Sequence, residues 1–328
     1  MSSKEGHVLA SEYKDIDIFY NPYSTSAQET LAHVQKRFER WDGGPRVQYH
    51  RTSADLDHFK EIVIEAIEAK DGETITGAIS GDGSINSHLL IKQDPETPEV
   101  VRDSPLWTPG GGNAINLFKA VTDRIYYRRP DEVIRHGVIE EFYPLSITTS
   151  EQSGKTEDRL AASIFSVGAM ALAAEFLNDP DYRASRLRNK RFGEILTDPI
   201  RVLQSLKFAD EFEYSDSDGT KKDVFEMLFI NAPHIAKVIH APKVSLTGPA
   251  YMLEVPRKSA PRVIGSIARL AIGRSNGSFM EENHIFEVIS DGIMAQVDGE
   301  SWYVEPGTIF DVTYSKSPVR IVSTIQNP

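Results

Sequence analysis

The chain has 328 residues, 40% of them apolar, which allows roughly two domains with their own cores. Lys and Arg total 36 against 48 Asp and Glu, a net charge of −12, so a broad cationic footprint is excluded and no nucleic-acid partner is expected. With no cysteine there is no disulfide, thiol nucleophile or cysteine-bound zinc, and residues Met1 to His7 have no signal-peptide character, so the expected location is cytoplasmic.

Asp15–Tyr20 reads as a strand, and Gln28–Trp41 as a helix because Leu31, Val34, Phe38 and Trp41 recur at its period. A second β-α pair follows in Arg46–Arg51 and the stretch carrying Leu56, Phe59, Ile62, Val63, Ala66 and Ile67 on one face. Thr74–Ile79 and Leu106–Thr108 are the next strands, with a helix over Ala114–Ile125. This alternation predicts a largely parallel sheet with ligands at the strands' C-terminal ends. The apolar stretch Ala161–Phe176 holds Ser163 and Ser166 and is too short for a membrane span, so it reads as buried core.

Beyond Arg129-Pro130 the strand candidates come closer together: Val133–Ile139, Leu145–Thr149, Lys207–Tyr214, Val224–Asn231, Tyr251–Val255, Ile285–Ser290, Ile293–Val297, Ile309–Tyr314 and Val319–Ile325. Helices are expected near Asp181–Leu206 and Ala260–Ile272, a hairpin turn at Ser215–Gly219, and loose segments at the first dozen residues, Gln93–Ser104 and Thr148–Glu157. The domain expectation is therefore an α/β unit over residues 1–130 and a mainly β unit over 131–328, whose C-terminal segment is a candidate to return to the first.

Two glycine turns carry the chemistry. Ser80-Gly81-Asp82-Gly83-Ser84 and Gly110-Gly111-Gly112-Asn113 each follow a strand and open onto a helix, an arrangement that converges main-chain N–H groups on a polyphosphate. Asp82 adds a carboxylate able to hold Mg²⁺ or to take a proton from a hydroxyl. The bland alternatives stand beside this reading: tight turns that need φ > 0, a strand-ending turn at Asn21-Pro22, a helix cap at Thr52, and a type I′ hairpin at Asp298-Gly299. The basic run from Arg183 to Arg191 is equally compatible with a solvated helix face, and the nine histidines show no metal spacing.

Asn21-Pro22-Tyr23-Ser24, Thr52, both glycine turns, the Ser166–Glu175 segment, Asn231-Ala232-Pro233 and Asp298-Gly299-Glu300 occur in the order of the diacylglycerol kinase catalytic superfamily, which the chain resembles from about residue 15 onward. Ser-Gly-Asp-Gly at 80–83, Asn113-Ala114 and the Tyr182-Arg183…Arg191-Phe192 segment look most like its sphingosine kinase branch. The resemblance implies an NAD kinase/phosphofructokinase-like α/β nucleotide-binding domain joined to a β-sandwich that admits lipid. It implies an ATP- and Mg²⁺-dependent kinase acting on a sphingoid base, diacylglycerol or related lipid. The residues themselves add that Arg124–Arg129 pairs Tyr126 and Tyr127 with cations, a patch suited to lipid headgroups, so peripheral membrane contact is expected there, with packing of the two tyrosines at the domain hinge as the alternative. Nucleotide contacts carry over onto Asn21, Pro22, Tyr23, Thr52, Ser80, Gly81, Gly83, Gly110, Gly111, Gly112, Asn113, Arg183, Arg191, Gly299 and Glu300. Asp82 carries over as base and metal ligand.

Departures keep two alternatives in play. The family's Glu after the Gly-Asp-Gly turn is Ser87 here, and the branch's lipid-binding Asp falls on Phe176, with Glu175 beside it as the candidate substrate contact. The alternatives are an NAD kinase-like enzyme and a catalytically weak nucleotide- or lipid-binding protein.

Overall fold

The computed structural model describes residues 8–22, 27–52, 55–70, 73–79, 82–109, 115–179, 208–235, 239–256, 260–274, 277–290 and 292–325. It divides into two compact units, Met1–Pro144 with Ser315–Pro328, and Leu145–Tyr314.

The first unit is built on β1 (Asp15–Tyr20), α1 (Ala27–Phe38), β2 (Arg46–Arg51), α2 (Leu56–Glu68), β3 (Thr74–Ile79), α3 (Asp82–Gln93), α4 (Glu99–Asp103), β4 (Leu106–Trp107), α5 (Ile115–Val121), α6 (Pro130–His136) and β5 (Val138–Phe142). Its sheet runs β2-β1-β3-β4, then the chain's last strand Val319–Ser323, then β5 at the edge. All neighbours are parallel except β5, which pairs antiparallel with Val319–Ser323. Alternation along β1 decides the packing: Ile16 and Ile18 enter one core with Val34, Phe38, Trp107, Val133 and Ile134, while Phe19 enters another with Phe59, Val63 and Ile67. Asp17, on the Phe19 face, is fully buried, and both its oxygens are matched: His50 Nε2 lies 2.7 Å from one and Lys70 donates to the other.

Val133–Ile139, expected as a strand, is mostly helix. Pro130 sits in the first turn, Asp131 and Glu132 follow it, Arg135 and His136 close the last turn, and Val133 and Ile134 are buried together. Proline at the start and charge matched to the helix dipole outweigh the β-branched pair. The composition change at Arg129-Pro130 thus marks the start of α6, whereas the unit boundary lies at Pro144 and Leu145. Gln93–Ser104 is also more ordered than expected, because it contains α4.

Lys92 fixes that segment to α3. Buried, its Nζ donates to the carbonyls of Val101 (2.9 Å) and Ser104 and to Ser104 Oγ (2.8 Å), and burial drives the ammonium down to about 7. Its folded pKa lies below its unfolded value near 10.5, so unfolding takes up a proton between those two values and stability rises with pH across that window. Each unit between the two pKa values is worth about 1.4 kcal/mol. Urea denaturation from pH 7 to 10 should show wild type gaining stability relative to Lys92→Met; parallel profiles would assign the titration to other groups.

The second unit holds β6 (Leu145–Ser150), β7 (Thr156–Ala161), β8 (Ile164–Gly168), α7 (Ala169–Asn178), β9 (Phe212–Asp216), β10 (Lys221–Val224), β11 (Glu226–Ile230), β12 (His234–Ile235), β13 (Ile239–His240), β14 (Tyr251–Val255), α8 (Ala260–Ala271), β15 (Ser278–Phe279), β16 (Asn283–Val288), β17 (Ile293–Val297), β18 (Glu300–Val304) and β19 (Ile309–Tyr314). Two six-stranded sheets form, β10-β9-β16-β19-β6-β7 and β15-β14-β11-β8-β17-β18, antiparallel throughout. Leu145, Ile147, Phe212, Phe286 and Phe310 from the first meet Phe165, Val167, Met227, Phe229 and Val297 from the second in one core. The other face of the second sheet packs Ile164, Leu228, Ile230 and Leu253 with Ala169 of α7 and Leu270 of α8.

The 148–157 stretch, expected to be loose, is the β6–β7 hairpin. Phe208, expected within a strand, precedes β9 and is 68% exposed, stacked on Phe176. The expected helix near Asp181–Leu206 lies outside the described residues.

Candidate functional site

In the first unit, register sets three strand ends level at one edge. Tyr20 is level with Arg51 on one side and Ile79 on the other. Thr52 is buried and its N–H donates to the Tyr20 carbonyl at 2.9 Å, which sets it beside Asn21 and Pro22, both half-buried. Thr52 therefore continues the sheet instead of capping α2, whose cap is Asp55, accepting from His58 N–H at 2.9 Å.

Asp82 and Gly83 are the first residues of the twelve-residue α3, the next described element after β3. The leading N–H groups of such a helix have no intrahelical acceptor, and with the helix dipole they favour an anion. The helix is held firmly: Ile85 and Leu89 are buried, and the buried His88 ring sits 5.4 Å from Phe19 and 4.8 Å from Phe59. Gly77 of β3 lies where a Cβ would come within 3.0 Å of the Ile18 side chain and 3.3 Å of the Trp107 ring, so a larger residue would have to push these neighbours aside by a few tenths of an ångström. Beside β3, β4 leads through buried Thr108 to the second glycine turn. Tyr23, Ser80, Gly81, Gly110, Gly111, Gly112, Asn113, Arg183 and Arg191 lie outside the described residues, as does the side chain of Asp82.

The Arg124–Arg129 patch divides. Tyr126 packs against the sheet core and stacks on His136 at 5.9 Å, and Tyr127 meets Phe118 at 5.1 Å, while Ile125, Arg128 and Arg129 are exposed. Among the described residues, no helix is long and apolar enough to cross a membrane.

The second unit carries Gly299 and Glu300 on the β17–β18 hairpin, where Val297 pairs with Glu300 and leaves Asp298 and Gly299 as a two-residue turn. Both have positive φ, +49° and +97°, the type I′ geometry anticipated from Asp-Gly. Asp298 is more than a turn former. Its buried carboxylate accepts from the N–H groups of Ala162 (2.7 Å), Ser163 (2.9 Å) and Ile164 (2.8 Å), the corner between β7 and β8. Burial outweighs these bonds and pushes its carboxyl up to about 6. Glu300 is exposed, yet partial desolvation raises its carboxyl pKa, with Arg159 opposing the shift. Arg159 stacks over Trp302, two residues beyond Glu300 on β18, at 4.1 Å. Glu175, exposed on α7, accepts from the Ser301 hydroxyl, so it lies beside the Glu300 hairpin.

Sequence reasoning missed Arg159, Gln296 and Glu226. A visible signal existed for Glu226, a lone carboxylate within the apolar run Phe225–Ile230, but what it contacts is a matter of tertiary packing.

No family model and no curated protein matches the sequence. Among solved structures, the chain is similar to a provisionally assigned diacylglycerol kinase from Bacillus anthracis strain Sterne, at 11% identity and TM-score 0.63, over 97% of this chain and 99% of that one. A further diacylglycerol kinase structure from the same organism is similar at 11% identity and TM-score 0.62, over 97% and 98%. Yeast NADH kinase, solved with NADH, is similar at 12% identity and TM-score 0.52, over 98% of this chain and 85% of that one. The chain has the diacylglycerol kinase-like fold, an α/β unit with a largely parallel sheet and a separate antiparallel β-rich unit.

Proposed function

We propose that this chain is an ATP-dependent lipid kinase that moves the γ-phosphate onto a hydroxyl of a sphingoid base, diacylglycerol or related lipid. The observation that supports it most is Asp82-Gly83 opening α3 after the central parallel strand β3, in a fold shared with diacylglycerol kinases. In this reading Asn21, Pro22, Tyr23, Thr52, Ser80, Gly81, Gly83, the 110–113 turn, Arg183, Arg191, Gly299 and Glu300 bind the nucleotide, and Glu175 contacts the lipid. Asp82 takes the hydroxyl proton as the alcohol oxygen bonds to the γ-phosphorus and the bond to the bridging oxygen breaks, releasing ADP.

Among the described residues no three His, Asp or Glu side chains gather as a metal cage. Mg²⁺ in kinases is held by one or two carboxylates together with substrate phosphates, so Asp82 suits it without such a cage. Bound there, the ion would neutralise phosphate charge.

The second reading, an NAD kinase-like enzyme, is favoured by the likeness to yeast NADH kinase. Radiolabelled ATP offered with a sphingoid base, diacylglycerol, NAD⁺ and NADH separates them. Label in a lipid is the expected result, label in a dinucleotide supports the second reading, and ATP binding without transfer would indicate a nucleotide-binding protein.

A further inference from the structure

Glu226 is wholly buried in β11, with Phe225 before it and Met227 after it, and its side chain faces α7. A carboxylate is costly there unless it is bonded. Its Oε2 accepts from the Met170 N–H at 2.7 Å, in the first turn of α7, a helix that no side chain of its own N-cap residue caps. That N-cap is Gly168 at φ +116°, and a Cβ on it would come within 2.6 Å of the Phe225 carbonyl and 3.1 Å of Glu226 Oε2. Glycine at 168 is what lets the carboxylate reach the helix end.

From Glu226 a chain of hydrogen bonds crosses the sheet. The Ser166 side chain of β8 lies within reach of the Glu226 carboxyl, which burial pushes well above the ordinary carboxylate range and whose Oε1 has no partner among the described residues. Gln296 Nε2 of β17 donates to Ser166 Oγ at 3.1 Å, and Gln296 Oε1 accepts from the Gly299 N–H at 2.8 Å. Ser166, Gln296 and Glu226 are all buried. From Gly299 through Gln296 to Ser166 the donors point toward Glu226, so each bond polarises the next. At the far end of α7, Glu175 accepts from Ser301, which ties the helix a second time to the hairpin that carries Glu300.

We infer that Glu226, Ser166 and Gln296 are positioning residues, a buried relay that ties the N-terminus of α7 to the Asp298–Glu300 turn and fixes where Gly299 and Glu300 are presented during phosphoryl transfer. The inference rests on the reading of Gly299 and Glu300 as nucleotide contacts. The relay acts through the turn and touches neither nucleotide nor lipid. Its logic is that of a supporting shell: the contacting groups stay within a fraction of an ångström of a productive geometry only when their own partners are fixed.

Gln296→Leu, of similar volume, removes the acceptor for Gly299 and the donor to Ser166 together. It should lower kcat/KM for transfer about tenfold, because small misplacements of contacting groups are costly. In a Glu300→Gln background the same substitution should add little, since a residue acting only through that turn cannot lose the effect twice. Glu226→Gln, which keeps an acceptor for the Met170 N–H, should transfer near the wild-type rate, whereas Glu226→Leu should reproduce the Gln296→Leu loss. Hydrogen exchange should accelerate at residues 299–301 in Gln296→Leu.

Turnover of Gln296→Leu equal to wild type, or a full and additive loss in the Glu300→Gln background, overturns the relay. Should Gln296→Leu fail to fold, Ser166→Ala breaks the same chain one link further on and is judged by the same outcomes. If wild type transfers phosphate to none of the four acceptors, the kinase reading fails while the exchange measurement still decides the relay. Faster exchange at 299–301 then supports it, and unchanged protection overturns it.

Discussion

Asp82→Asn is expected to abolish turnover while ATP binding persists. In the proposed reading the leading N–H groups of α3 meet the ground state of the nucleotide, whereas a carboxylate that takes the hydroxyl proton acts mainly in the transition state. Loss of a general base typically costs about 10²–10⁴-fold, and loss of a metal-holding carboxylate adds to it. Equilibrium binding of ATP and steady-state transfer to the preferred acceptor, measured on one preparation, separate the two effects. Wild-type turnover in the variant would leave the 80–84 turn as a structural element. Joint loss of binding and turnover would mean that the carboxylate holds the nucleotide in the ground state.

Asp298→Ala should produce the largest loss of stability. It leaves the N–H groups of Ala162, Ser163 and Ile164 without their acceptor and puts a Cβ-bearing residue that lacks a local hydrogen-bonding group at φ +49°. Each buried orphan donor costs about 1–3 kcal/mol, and because the three share one corner the losses do not simply add, so about 3–5 kcal/mol is expected in urea denaturation. A loss below about 1 kcal/mol would show that water replaces the carboxylate. The pH dependence follows from a folded value of about 6 against an ordinary 3.8: the native state holds the proton more tightly, so stability falls as pH rises from about 4 to about 6 and is level above that. Asp298→Asn should remove this slope.

How much of this was legible in the sequence can be judged element by element. Asp15–Tyr20, Arg46–Arg51, Thr74–Ile79, Tyr251–Val255, Ile293–Val297 and Ile309–Tyr314 are strands with the bounds read from pattern alone, because each is a β-rich run between clear breakers. Thr156–Ala161 was illegible because it is an edge strand, where charges such as Glu157, Asp158 and Arg159 hide the pairing signal. Ile164–Gly168 shows no alternation because both of its faces are covered, one by the sandwich core and one by the helix-side core. Val133 misled through its β propensity where Pro130 and the flanking charges ruled. At the candidate site, the residues proposed to meet a ligand are legible as turn chemistry, as Asp82-Gly83 and Gly299 are. Residues that hold those turns do not, since Gln296 and Ser166 look like ordinary strand positions until the neighbouring strands are in place.

The strand Val319–Ser323 lies between β4 and β5, which precede it in sequence by the whole of the second unit. Synthesis runs from the N-terminus, so the first sheet keeps a one-strand gap while residues 145–314 are being made. During that interval both β4 and β5 offer unpaired edges, the feature by which nascent chains recruit wrong partners. The first half to be translated is therefore the last to be finished. A stop or frameshift that removes only the final strand would leave the antiparallel sandwich whole and the largely parallel sheet open, confining the damage to the half of the molecule that was made first.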